Sequence, residues 1–274
     1  MTDHYLWLVP LGLVIGTYGT LIGAGGGFVL MPVLIILYPE ENREILTSIS
    51  LAVVFFNAFS GSCAYARMKR IDYKSGFLLS AATVPGAIIG ALTTATLPTS
   101  LFDTILGIVL VGVSVFLFLY PQRSEEAKKT RHRYVMERHL TGADGQSYSY
   151  SYNPFSGVAL SLSAGFVSSL LGIGGGIIHV PALVNLLEFP VHIATATSHF
   201  ILAIMSFTGT AVHFATGTFS KGIHRTVFLS FGVLAGAQVG ASLSTRIKGI
   251  WIIRSLAAAL GFVGLRIFLS ALAR

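Results

Sequence analysis

Charge is scarce in this sequence. Asp, Glu, Lys and Arg together make up 11% of its 274 residues, where a soluble domain carries about 25%. The chain is 53% hydrophobic, with a mean hydropathy of +0.76. This composition excludes a water-soluble globule and predicts an all-α integral membrane protein. Acid is rarest where it would matter most. No Asp or Glu lies deep in an apolar segment; Asp103 and Glu188 stand near segment ends. Intramembrane carboxylates are the usual means of carrying cations or pumping protons, so their lack points to an anionic or neutral solute. The single cysteine, Cys63, excludes an internal disulfide and reads as a small apolar helix residue. The net charge of +7 does not signal nucleic acid. The basic residues fill gaps between apolar segments, as in membrane proteins oriented by their loops. Catalytic signatures are missing too: the sequence has no HExxH, GxSxG or Walker loop and no paired intramembrane aspartates. Ser198 and His199 are adjacent, so on a helix they point about 100° apart, a poor nucleophile–base pair. No enzyme, metal site or cofactor is expected. No basic run precedes the first apolar segment, which is expected to be retained.

Glycine is what the chain has in quantity, 30 residues in all. Leu21-Ile22-Gly23-Ala24-Gly25-Gly26-Gly27-Phe28-Val29-Leu30-Met31-Pro32 returns 149 residues later as Leu170-Leu171-Gly172-Ile173-Gly174-Gly175-Gly176-Ile177-Ile178-His179-Val180-Pro181. Glycine runs interrupt helices because they leave the backbone too free. At membrane depth such an interruption survives only against protein or a water-filled cavity. Apolar segments fall at 5–23, 27–38, 44–66, 74–97 and 100–120, and again at 155–173, 175–188, 193–216, 223–244 and 250–272. Each half reads long, short, long, long, long. A spanning helix needs about 20 residues, so the short segments read as half-helices starting at the glycine clusters. Phe59-Ser60-Gly61-Ser62 echoes Phe207-Thr208-Gly209-Thr210, and Pro85-Gly86-Ala87-Ile88-Ile89-Gly90-Ala91 echoes Ala235-Gly236-Ala237-Gln238-Val239-Gly240-Ala241. One duplicated unit is expected: a first transmembrane repeat over 1–120, a cytoplasmic linker over 121–153 and a second repeat over 154–274. Each repeat then holds about four spanning helices and one half-helix.

Two topologies fit. Re-entrant short segments give parallel repeats with the N-terminus inside; crossing short segments give inverted repeats with the N-terminus outside. Both leave the same excess of Lys and Arg inside, and they differ over Lys221 and Arg225 against Arg246, Lys248 and Arg254. Inverted repeats with broken helices meeting at the midplane are a recurrent transporter design, which favours the second. Both place 67–74 and 121–153 in the cytoplasm. The linker carries Arg123, Lys128, Lys129, Arg131, Arg133 and Arg138 and ends in Ser147-Tyr148-Ser149-Tyr150-Ser151-Tyr152. It reads as a connector held near anionic lipid, with partner binding as the alternative. Whether the chain self-associates is left open.

A helix N-terminus offers unpaired N–H groups and partial positive charge, and glycine lets a solute approach them. Gly25, Gly26 and Gly27 with Gly174, Gly175 and Gly176 are therefore candidate anion ligands; the bland alternative is tight helix crossing. The next helix of each half adds polar residues, Thr47, Ser48, Ser50 and Asn57 in the first and Thr197, Ser198 and His199 in the second. They can hydrogen-bond an oxoanion or serve as interhelical glue. His199 and His213 are candidate proton-relay residues. Gln238 is a candidate cavity residue. His179 reads as a packed side chain and Arg266 as a snorkelling one, with an anion contact as the alternative for Arg266.

These features together resemble the sulfite exporter TauE/SafE family of bacterial membrane transporters. The resemblance rests on the doubled glycine–proline motif, Asn57-Ala58-Phe59-Ser60-Gly61, Arg70-Ile71-Asp72-Tyr73, Pro85-Gly86-Ala87 with Gly90, Ala196-Thr197-Ser198, and Gly236-Ala237-Gln238 with Gly240. It implies a multi-pass protein of the bacterial inner membrane that exports small sulfur oxoanions or organosulfonates such as sulfite, thiosulfate, sulfoacetate or sulfolactate. An anion channel using the same site, or a membrane enzyme or scaffold, are the competing readings.

Overall fold

The computed structural model describes residues 5–119, 136–143, 145–246 and 249–272. Among the described residues ten α-helices follow the apolar segments: α1 (Leu8–Ile22), α2 (Gly27–Leu37), α3 (Arg43–Arg67), α4 (Tyr73–Thr94), α5 (Thr99–Leu119), α6 (Pro154–Leu171), α7 (Gly176–Asn185), α8 (Val191–Ala215), α9 (Ile223–Ser244) and α10 (Gly249–Leu272). Among the described residues six helices are long and apolar enough to cross a bilayer. Helix α1 is shorter than its apolar segment. Its 15 residues rise about 22 Å, against a hydrocarbon core of about 30 Å.

Side-chain size sets which helices touch. Backbone-to-backbone contact at glycines joins α1 to α9: a Cβ on Gly12 would meet Leu229, one on Gly16 would meet Val233, and one on Gly236 would meet Leu13 and Thr17. Ascending numbers pair with ascending numbers, so the two helices run in the same direction. Helix α4 packs on α6 in the same way, Gly86 against Leu162 and Gly90 against Phe166. The other large interfaces are antiparallel. In α3 and α8, Gly209 faces Leu51 and Gly61 faces His199; in α5 and α10, Gly107 faces Phe268 and Gly264 faces Leu110. Helix α3 is the central element, with 83% of its spanning window buried, while α5, at 33%, lies at the rim.

The two ends of the bundle differ. At one end the start of α3 meets the start of α5 through a buried, bidentate ion pair, Arg43 to Asp103, with both bonds at 2.9 Å. The carboxylate at the edge of an apolar segment is thus neutralised. Arg225 pairs with Glu41 at 2.7 Å at the same end. At the other end, part of the linker departs from helix. Met136–Thr141 (β1) and Ser147–Tyr152 (β2) form an antiparallel hairpin with Met136 opposite Tyr152. The Ser-Tyr alternation puts Tyr148, Tyr150 and Tyr152 on one face. Tyr150 and Tyr152 clamp Phe189, with ring centroids 4.4 and 5.1 Å away. The hairpin is therefore docked on the bundle. The linker cations Arg123, Lys128, Lys129, Arg131 and Arg133 lie outside the described residues.

Candidate functional site

The glycine breaks end α1 and α6 with left-handed caps, Gly23 (φ 84°) and Gly172 (φ 65°). The chain then turns back to the end it came from: Tyr5 before α1 and Tyr38 after α2 both meet the start of α9, and Tyr152 before α6 meets Phe189 after α7. The short segments therefore do not cross as expected, and the two breaks meet each other. A Cβ on Gly27 would stand 2.5 Å from the Ile173 oxygen, and one on Gly176 would stand 2.3 Å from both the Ala24 Cα and the Gly23 oxygen. Gly174 faces Val54 and the Ala24 oxygen, Gly25 faces Leu202 and Val54, Gly26 faces Ile15, and Gly175 faces Met205 and the His179 ring. All six candidate glycines are buried. The closeness that packing demands is present, and so are unused donors. Val29 and Leu30 donate to the Gly26 carbonyl, as Ile178 and His179 donate to that of Gly175. The N–H groups of Gly27, Phe28, Gly176 and Ile177 have no acceptor among the described residues, as expected of a first helical turn.

Each break is held by a serine from the opposite half. Ser50 donates to the Gly172 carbonyl, and Ser198 donates to the Gly23 carbonyl at 3.1 Å. Thr47 lies against Gly172 and Thr195 against Gly23, both with an unpartnered hydroxyl. Ser48 turns to its own helix, donating to the Ile45 carbonyl. Thr197 accepts from the Asp72 N–H at 3.0 Å. These last two point away from the breaks.

A polar cluster sits one turn from the first break. Thr20 donates to the Asn57 oxygen at 3.1 Å, and His199 Nε2 lies 3.1 Å from the Thr20 hydroxyl. Tyr65 donates to the Thr20 carbonyl at 2.8 Å and meets the His199 ring edge-on. Asn57 Nδ2 and His199 Nδ1 are buried without a partner. Thr20 and Tyr65 escaped the sequence reading: Thr20 is a lone hydroxyl in an apolar run, and Tyr65 stands at a segment end. His213 lies far along α8, 3.9 Å from Glu44, and has no contact with His199. His179 is a packed side chain bonded to Gly175 and Ser161.

Above the cluster, at the hairpin end, is an open depression of about 550 Å³ lined by Ala64, Arg67, Met68, Arg70, Ala143, Gln238, Ser242 and Thr245. Gln238 donates to the Ser60 carbonyl at 2.8 Å, and Ser60 is one turn from Asn57 on α3. The glycines do not line this depression; Gln238 is the sequence-derived candidate that does. The hairpin wall is fixed by Asp72. Arg138 binds its carboxylate through Nε and Nη2, and Tyr150 donates to it at 2.6 Å. Burial opposes the charged form of Asp72, but the bonds from Arg138, Ser75 and Tyr150 outweigh it and hold the carboxyl below its ordinary range. Tyr150 is pushed up, by burial and by the same carboxylate. No group of His, Cys, Asp and Glu able to hold a metal occurs among the described residues.

Comparison with known proteins agrees with this architecture. The family model described as "Sulfite exporter TauE/SafE" matches residues 8–267. A Bacillus subtilis protein named "Probable membrane transporter protein YunE" is 33% identical over 250 residues, covering 89% of this chain and 88% of its own length. A "Probable membrane transporter protein" of Methanocaldococcus jannaschii is 24% identical, with 96% of each chain covered. No solved structure matches.

Proposed function

The chain belongs to the sulfite exporter TauE/SafE family, a multi-pass membrane transporter and not an enzyme, and from that premise we propose that it exports a small sulfur oxoanion or organosulfonate. The candidate solutes are sulfite, thiosulfate, sulfoacetate and sulfolactate. The anion is held where the two breaks meet, beside Thr20, Asn57 and His199. One observation carries this reading: the centre of the bundle holds buried donors with no acceptor, namely Asn57 Nδ2 and the first N–H groups of α2 and α7. Leaving such a donor unpaired costs about 1–3 kcal/mol, and an oxoanion offsets that cost at several donors at once. In this reading Ser50 and Ser198 set the breaks in place, and Gln238 stands at the mouth of the path.

The two halves form inverted repeats that rock about the bound anion. The antiparallel packing of α3 on α8 and of α5 on α10 supports inversion, because a two-fold axis in the membrane plane reverses each helix relative to its mate. Arg67, Lys69, Arg70, Lys74 and Arg246 gather at the hairpin end, so that end faces the cytoplasm by the positive-inside rule and the linker is cytoplasmic. The depression then opens inward. Export of an anion from a negative interior is downhill by about 2.3 kcal/mol per charge per 100 mV, and no coupling ion is required.

Uptake of labelled sulfite, thiosulfate and sulfoacetate into proteoliposomes tests the proposal. The wild type carries at least one of them, with acceleration by unlabelled anion on the far side, while Asn57→Leu folds but does not transport. Flux without trans-acceleration makes the protein a channel, and indifference to all three anions removes the substrate class.

A further inference from the structure

We propose that the depression at the hairpin end is a separate capture site for the transported oxoanion, built on Arg67 and emptying past Gln238 into the buried cluster. The inference rests on the transport reading above and gives Arg67 a binding role that reading does not assign.

Three observations carry it. First, the lining pairs two guanidinium side chains with an amide and two hydroxyls, those of Gln238, Ser242 and Thr245, and no carboxylate lines it among the described residues. Guanidinium groups match oxoanions through paired N–H donors. Second, Arg67 is exposed and has no ion pair among the described residues, unlike Arg43, Arg138 and Arg225, each of which has a carboxylate. Third, the turn that presents these arginines is strained. Helix α3 closes with Arg70 N–H on the Tyr65 carbonyl and with Lys69 in the left-handed region, φ 52°. The corresponding turn after α8 has glycine there, Gly217 at φ 79°. A lysine in a glycine conformation, between two arginines at the rim of a cavity, fits a turn kept for its charge.

The route is short. Gln238 bridges from the depression to Ser60 through two bonds of 2.8 Å. Gly61, the next residue, touches the His199 ring. A field of one sign over a cleft raises the local concentration of the opposite ion, so the site acts on capture and not on translocation. Its chemistry, an exposed guanidinium beside an amide and hydroxyls, also suits an anionic lipid headgroup, and the test separates the two.

Inside-out membrane vesicles present substrate to the hairpin end, and right-side-out vesicles present it to the opposite end. With labelled thiosulfate, sulfite or sulfoacetate, whichever the wild type carries, Arg67→Gln raises the half-saturating concentration about tenfold in inside-out vesicles. Its maximal rate holds, and right-side-out vesicles show no change. The same shift in liposomes of phosphatidylcholine alone shows that the site takes the free anion. An equal effect from both sides, or none from either, overturns the capture site while leaving the transport reading intact. Loss of the effect in phosphatidylcholine assigns Arg67 to lipid headgroups and also overturns it. If the wild type carries none of the anions, the transport reading fails first. Arg67→Lys, which keeps charge but not the paired donors, recovers part of the affinity and guards against misreading a folding defect.

Discussion

Gly176→Ala is the sharpest perturbation the fold offers. Gly176 has an ordinary helical backbone, so alanine suffers no conformational penalty there. The cost is contact alone: the new methyl would stand 2.3 Å from the Ala24 Cα and the Gly23 oxygen and 2.9 Å from the Ala24 carbonyl carbon. All three are backbone atoms and cannot rotate away. Ordinary carbon contacts lie at about 3.5–4.0 Å, so the breaks must part by about 1 Å. Ser198 holds the Gly23 carbonyl in place, which resists that movement. Overpacking of this kind costs about 1–3 kcal/mol, and backbone-on-backbone contact belongs at the upper end. At about 2–4 °C per kcal/mol for a chain of this size class, the melting temperature falls by about 6–12 °C. Gly112→Ala is the control, because nothing lies within 4 Å of a Cβ there, and better helix propensity stabilises it by up to about 1 kcal/mol. Thermal unfolding of the purified proteins in one detergent, followed by loss of the monodisperse peak, makes the comparison. Equal melting temperatures for the two variants would refute the meeting of the breaks.

Other consequences are smaller. Lys69→Gly relieves a left-handed residue worth about 1–2 kcal/mol against the entropy that glycine adds, about 0.5–1 kcal/mol; a net gain of about 0.5–1 kcal/mol is expected, and Gly217→Lys shows the converse in the same melting assay. Arg138→Gln strips a charged hydrogen-bond partner from Asp72 and loosens the hairpin by about 1.5–3 kcal/mol, read as faster protease cleavage within 136–152. The Asp72 carboxyl is depressed in the folded protein, so its contribution is present at neutral pH and lost only as pH falls through that lowered value. Tyrosine near-ultraviolet circular dichroism should therefore hold from about pH 8 to 5 and change only near or below the ordinary aspartate value of about 4. In a Cys63→Ser background, Lys221→Cys and Arg246→Cys should react with an impermeant maleimide from opposite sides of the membrane; labelling from one side would contradict the inverted topology.

The sequence made the helices legible because long apolar runs and glycine clusters are strong signals at membrane hydropathy. It marked the breaks, Asn57 and His199, and the structure brings these into one region. It did not separate Ser50 and Ser198, which reach across to the opposite break, from Ser48 and Thr197, which face elsewhere. A helical stripe gives a face but not what stands opposite. The hairpin escaped the sequence reading: the run Ser147–Tyr152 alternates with the period of a strand but figures there only as part of a connector. Its partner strand, Met136–Thr141, alternates too weakly to be seen. Thr20 and Tyr65 depend on contacts 37 to 179 residues apart, which no local pattern records. The direction of α3 against α8 is likewise a tertiary fact that loop charges could not decide.

Crystals soaked in selenite, a heavier analogue of sulfite, put the central claim to the most direct test. The selenium anomalous peak is expected within hydrogen-bond reach, about 3–4 Å from oxyanion centre to donor, of Asn57 Nδ2 and the first turn of α2 or α7, and absent in Asn57→Leu. A peak confined to the rim arginines, or none near the breaks in protein that still transports, would contradict it.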